Sequence, residues 1–186
     1  HGVPGAFMSM IGNRLFNEII TEKKILNPAD ILYHLNHSIV EALKQERTDN
    51  TDGMDVCLIS MEHSHRSERN ISFAGAKRPL FFYGHNDQSI KKIKGDRYSI
   101  GGINKNKKEK QFTTQQLTLE KGDMLYLTTD GFFDQINDNG KRFSTQRFLK
   151  SLRHNIDQTM EEQGKRLEEN WEYFKNAAID NVFNPM

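Results

Sequence analysis

Apolar residues along the first third of the chain recur at steps of three and four. Phe7, Met10, Ile11, Leu15 and Ile19 share one face of a helix predicted to run from Ala6. A second helix opens at Asn27-Pro28. Asparagine caps the exposed amides of a first turn, and proline at the first helical position lacks only an N–H that would have no helical partner. Ile31, Leu32, Leu35, Ile39 and Leu43 carry the apolar stripe of this helix. Residues 48–53 are polar and predict a loop.

The middle of the chain reads differently. Runs rich in β-branched and aromatic residues at 55–61, 70–74, 80–83, 90–93, 115–119 and 124–128 predict strands, separated by turn sequences such as Gly84-His85-Asn86-Asp87 and Lys121-Gly122-Asp123. Their close spacing leaves no room for crossover helices, so the strands are expected to pair antiparallel. The last third returns to helix. Ser144 is placed to cap a helix with Phe148, Leu149 and Leu152 on its apolar face. Thr159 with Glu162 three residues on has the form of a capping box ahead of Leu167, Trp171 and Phe174. The predicted class is α+β: an antiparallel β-sandwich flanked by helices, in a single domain of residues 1–186.

Composition narrows the functional classes. Hydrophobic residues make up 35% of the chain, enough for a core and too many for a disordered segment. The net charge of +1 supplies no global field toward nucleic acid or an anionic membrane. The basic run at 105–110 has no interleaved aromatics and reads as a solvated loop. No apolar run approaches the roughly 20 residues needed to cross a bilayer. One cysteine, Cys57, excludes an internal disulfide and a thiolate zinc cluster, and its apolar surroundings mark it as a small core residue. A cytoplasmic location is expected. His34, His37, His63, His65 and His85 fall at helix-surface or turn positions without a carboxylate pattern, and read as surface residues.

Three segments carry candidate chemistry. In Leu125-Tyr126-Leu127-Thr128-Thr129-Asp130-Gly131, an apolar strand delivers an aspartate to its end, and the glycine after it frees the backbone to turn. A carboxylate so placed suits a hard cation such as magnesium or manganese, with Asp134 one helical turn further on as a peripheral acid. The same pattern also describes an ordinary turn. In Ile179-Asp180-Asn181-Val182-Phe183, two polar residues interrupt an apolar run, a costly burial that a metal ion would offset and a strand end would avoid. The turn His1-Gly2-Val3-Pro4-Gly5-Ala6 leads into the first helix, whose N-terminal amides favour anions. No G-x-S-x-G elbow, P-loop or dinucleotide fingerprint is present.

In order, these segments resemble the SpoIIE-like and RsbU-like branch of the PPM metal-dependent serine/threonine protein phosphatases. His1-Gly2-Val3-Pro4-Gly5-Ala6-Phe7-Met8 matches the second half of that family's D-x-[ST]-G-H-G-V-P-[AG]-A-x-M motif. Gly53-Met54-Asp55 matches a G-M-D strand entry, and Ala74-Gly75-Ala76-Lys77-Arg78-Pro79 an A-G-x-x-x-P loop. Ser99-Ile100-Gly101-Gly102 is similar to a P-[IL]-G-G turn, with serine replacing proline. The stretch from Leu119 to Gly131 follows L-x-x-G-D-x-x-x-L-x-[ST]-D-G, and Asp180-Asn181-Val182 the terminal D-[DN]-[IV]. The resemblance implies hydrolysis of phosphoserine or phosphothreonine by a metal-activated water, with two manganese or magnesium ions in the complete domain. By the same resemblance Asp130 and Asp180 would be direct metal ligands and Asp134 peripheral. The implied partner is a phosphorylated protein regulator of the anti-sigma-factor-antagonist type, with a sensor domain upstream. The motif's aspartate, four residues before His1, is not in this sequence, so weak metal binding by the chain alone is expected. A catalytically incomplete module serving in binding or regulation is the competing expectation.

Overall fold

The computed structural model describes residues 2–62, 68–102 and 109–176, with backbone alone at 2–4. The chain forms two compact units, His1–Leu127 and Thr128–Met186.

The first unit opens with α1 (Gly2–Asn17), which runs on into a π-helical turn, Glu18–Glu22, and is followed by α2 (Pro28–Ala42). The predicted cap is in place: Asn27 Oδ1 accepts hydrogen bonds from the amides of Ala29 at 2.9 Å and Asp30 at 3.3 Å. The buried stripe of α2 matches its apolar pattern, with Ile31, Leu32, Leu35 and Ile39 all buried.

Helix α1 corrects the prediction twice. It begins at Gly2 rather than Ala6, with Pro4 in the first turn, where a missing N–H leaves no helical bond unmade. Its buried side is also different. Phe7 and Met10 are 60% and 69% exposed, whereas Met8 and Gly12 are buried; of the predicted stripe, Ile19 is buried as expected, in the π-helical turn. The sequence around Phe7-Met8-Ser9-Met10-Ile11 is apolar on more than one side, so several stripes fit it. Gly12 decides between them: the Met54 thiomethyl lies where a Cβ on Gly12 would stand.

The strands are β1 (Gly53–Met54), β2 (Val56–Met61), β3 (Arg69–Ala76), β4 (Leu80–Gly84), β5 (Ser89–Ile93), β6 (Ile100–Gly101), β7 (Gln115–Leu119) and β8 (Met124–Tyr126). They form two three-stranded sheets, β2-β3-β7 and β5-β4-β8, and the short pair β1-β6, every ladder antiparallel as predicted. Register sets Ile59 opposite Phe73, Phe73 opposite Gln115, and Phe82 opposite Leu125. Strand β8 ends at Tyr126, two residues short of its predicted end.

Alternation along β2 and β3 gives the central sheet two apolar faces. Cys57, Ile59, Ile71 and Phe73 join Leu80, Ile93 and Leu125 of the second sheet in one core, which makes the sandwich. Val56, Leu58, Ala74 and Ala76 face the other way and pack with Met8, Ile19, Leu32, Leu35 and Ile39 of the helical layer. Each large side chain so buried stabilises the fold by about 1.5–3 kcal/mol.

The second unit contains α3 (Asp130–Phe133), α4 (Ser144–His154) and α5 (Met160–Asn176). Phe132, Phe133, Phe143, Phe148 and Phe174 meet edge to face, with ring centroids between 5.1 and 6.1 Å apart. Thr159 Oγ1 accepts the Glu162 amide at 3.2 Å, the predicted cap of α5. The Glu162 carboxylate pairs with Arg166 instead, at 3.2 Å. Ser144 does not cap α4: its backbone is left-handed, φ +69°, and no side-chain cap forms at that end. Asp180, the terminal Asp180-Asn181-Val182 segment, His63, His65 and most of the basic run lie outside the described residues. No helix among the described residues is long and apolar enough to cross a membrane.

Candidate functional site

In the second unit, Asp130 opens α3, and Thr129 before it is extended at φ −96°, ψ 166°. The half-buried Asp130 carboxylate accepts the Gly131 amide at 2.9 Å, and its carbonyl accepts the Asp134 amide at 2.8 Å. These bonds aim the side chain from a helix N-terminus, where an acid is favoured. Two residues upstream, the Thr128 hydroxyl is buried without a hydrogen-bond partner among the described residues. Leaving such a group unpaired costs about 1–3 kcal/mol, so a buried orphan marks a place that a water or ligand would complete. Asp134 is exposed, and its Oδ1 accepts from Arg142 Nη1 at 3.2 Å.

Asp130 has the donor chemistry of a hard-cation ligand, and the Thr128 orphan fits a partner at the same turn. Among the described residues, no group of three or more acidic, histidine or cysteine side chains converges on one point. One described carboxylate is too few to hold a magnesium or manganese ion, each of which takes about six donors.

In the first unit the structure brings together three sequence motifs that no candidate chemistry had joined. Gly53 pairs with Gly101 and Met54 with Ile100, which sets the Gly53-Met54-Asp55 entry beside the Ser99–Gly102 turn. The Asp55 carboxylate then takes the Arg78 Nη2 at 3.2 Å on one oxygen and the Ser99 hydroxyl at 2.6 Å on the other. Both side chains of the Arg78–Asp55 pair are largely buried, which strengthens the attraction relative to an exposed pair. Serine at position 99 gives Asp55 a donor that proline could not supply.

Two amides from α2 and the turn after it fix the far side of that turn. Asn36 Oδ1 accepts the Gly101 amide at 3.0 Å, and Gln45 Oε1 accepts the Gly102 amide at 2.8 Å. Gly101 and Gly102 have φ of +68° and +71°, which favours glycine at both positions. Asp55, Arg78, Asn36 and Gln45 were missed as site-building residues because their partners are distant in sequence. The motif order alone marked Asp55 and Arg78.

An α+β sandwich with a helical layer, carrying these motif loops and an Asp-Gly helix start, has the architecture of a PPM-type phosphatase. The family model for Stage II sporulation protein E (SpoIIE) matches residues 1–179, and the chain belongs to that family. The match ends one residue before Asp180. Among solved structures, the chain is similar to the SiaA-PP2C domain of Pseudomonas aeruginosa, at 26% identity and a TM-score of 0.75. That likeness covers 96% of this chain and 66% of the other, so the chain spans just under two-thirds of its relative's length. No curated protein sequence matches the chain.

Proposed function

We propose that this chain is the greater part of a metal-dependent protein phosphatase domain that hydrolyses phosphoserine or phosphothreonine on a protein regulator. The observation that carries the reading is the SpoIIE family match across residues 1–179, which takes in the Thr129-Asp130-Gly131 helix start. In this reading Asp130 and Asp180 each offer a carboxylate to manganese or magnesium, and Asp134 stands at the periphery. A divalent ion held there would lower the pKa of a water so that it could attack phosphorus as hydroxide near neutral pH. The chain's own part is to aim: Gly131 N–H orients the Asp130 carboxylate, and the Thr128 hydroxyl has a bonding position open at the same turn. The regulator is of the anti-sigma-factor-antagonist type, the setting is cytoplasmic, and a sensor domain upstream governs the module.

Phosphate release from a phosphoserine-bearing protein by the full-length protein tests the reading. Release that requires manganese and stops with EDTA is the expected result. Equal release with and without EDTA, or none under any metal, would remove metal-dependent phosphatase activity from the account.

A further inference from the structure

The knot of motif loops in the first unit also walls a cavity of about 350 Å³, open to solvent on one side. Among the described residues its lining includes Thr51, Gly53, Lys77, Arg97, Ser99 and Lys110, and no acidic side chain. Three cationic residues therefore line one cavity, with no carboxylate among its described lining residues.

Their placement is set by backbone. Lys77 N donates to the Asp96 carbonyl at 2.8 Å, and Asp96 N donates to the Gly75 carbonyl at 2.7 Å. Gly75 and Gly95 approach so closely that a Cβ on Gly95 would stand 2.5 Å from the Gly75 carbonyl oxygen. This clamp holds Lys77 in a left-handed conformation, φ +56°, next to the segment that carries Arg97. The Lys77 ammonium has no carboxylate partner among the described residues. Arg97 lies over the Tyr98 ring, 5.0 Å from its centroid, and donates to the Tyr98 hydroxyl at 2.8 Å, so its guanidinium plane is held by its neighbour. Lys110 Nζ donates to the carbonyls of Ser99 at 3.0 Å, Gly102 at 2.8 Å and Gly101. Those carbonyls take all three N–H donors of the ammonium, so Lys110 offers the cavity its charge and no free hydrogen bond, with no carboxylate beside it among the described residues. Burial, and then the charge of Lys77, lower the Lys110 pKa, as expected of like charges gathered in one place. Like charges held together by the fold destabilise it until an anion joins them.

We propose that this cavity is an anion site that takes a phosphate group, either free or carried on a polypeptide, bound by Lys77 and Arg97 with the Lys110 charge behind them. A guanidinium fork and compact ammonium groups are the side chains that hold phosphate oxygens best. Small-molecule sites run from roughly 300 to 1,000 Å³, so the space exceeds a bare phosphate and admits the residue bearing one. The site goes beyond the phosphatase reading: it requires neither Asp130 nor a metal ion.

The test is a titration of the isotope-labelled protein in EDTA, following the amides of Gly53, Lys77, Gly101 and Gly102 by NMR. Sodium phosphate should shift them saturably, and sodium chloride at the same ionic strength should not. Lys77→Asn keeps a residue that tolerates φ > 0, and Arg97→Gln changes an exposed side chain, so both variants should fold. Each should weaken phosphate binding about tenfold, the expected loss of one charge-assisted contact. A phosphoserine peptide binding more tightly than inorganic phosphate assigns the site to a phosphorylated chain, and the reverse assigns it to free phosphate. Equal shifts with chloride, or an unchanged phosphate affinity in Arg97→Gln, would overturn the proposal. Because EDTA is present throughout, failure here is separate from failure of the metal-dependent reading.

Discussion

Replacing Gln45 by methionine tests how the Gly101–Gly102 turn is held. Gln45 is 0% exposed and makes all its bonds within the first unit. Its Nε2 donates to the Asp52 carbonyl at 2.7 Å and to Asn50 Oδ1 at 3.1 Å, while its Oε1 accepts the Gly102 amide at 2.8 Å. Methionine has nearly the same length and volume, so Gln45→Met removes the bonds without opening a cavity. It strands the Gly102 N–H and the Asp52 C=O. A buried orphan costs about 1–3 kcal/mol. Asp52 is exposed and Gly102 half-buried, so water rescues part of each loss, and a total near 2–3 kcal/mol follows. That corresponds to a fall in Tm of about 5–10 °C for a chain of this size. The assay is urea unfolding followed by labelling of Cys57, the chain's one cysteine, which packs in the sandwich core of the same unit. A loss below about 0.5 kcal/mol, the range of ordinary surface changes, would show that the turn does not depend on this side chain.

Other outcomes follow from the same contacts. Burial pushes the Cys57 thiol up to about 11 from 9.0, so its contribution to stability is present below pH 9 and is lost as pH rises toward 11. The urea midpoint should fall across that window, and Cys57→Ala should remove this part of the slope. In the second unit, Phe148 is 2% exposed and meets Phe132 and Phe133 edge to face. Phe148→Ala should cost about 3–5 kcal/mol, read from the fluorescence of Trp171 in the same unit.

Features decided by neighbouring residues were legible in the sequence. The Asn27-Pro28 start of α2 and the Thr159 cap of α5 depend on side chains bonding amides within three residues. Antiparallel strands could be read from short β-branched and aromatic runs joined by turns too tight for crossover helices. The buried face of α1 could not, because Phe7, Met8, Met10 and Ile11 offer competing stripes and the choice rests on Met54 docking against Gly12. Ser144 failed as a cap because its left-handed backbone is a tertiary outcome. Asp130 was legible as a candidate from the strand and glycine around it. The knot at Asp55 was not, since Arg78 lies 23 residues away and Ser99 lies 44 away, and only the fold brings them to one carboxylate.

The proposal that Asp130 is a metal ligand of a phosphatase is tested most directly by Asp130→Asn in the full-length protein. The substitution keeps the side chain's shape and an oxygen that can still accept the Gly131 amide, while removing the charge a divalent cation requires. Even partners that only support a metal ligand cost about 10–100-fold when lost. Loss of the ligand itself should therefore lower manganese-dependent phosphate release from a phosphoserine protein by at least about 100-fold. Stability should stay within about 0.5 kcal/mol, as for a change at a half-buried turn. Measured side by side, lost turnover with an unchanged urea midpoint is the predicted result. Normal manganese-dependent turnover in Asp130→Asn would contradict the account.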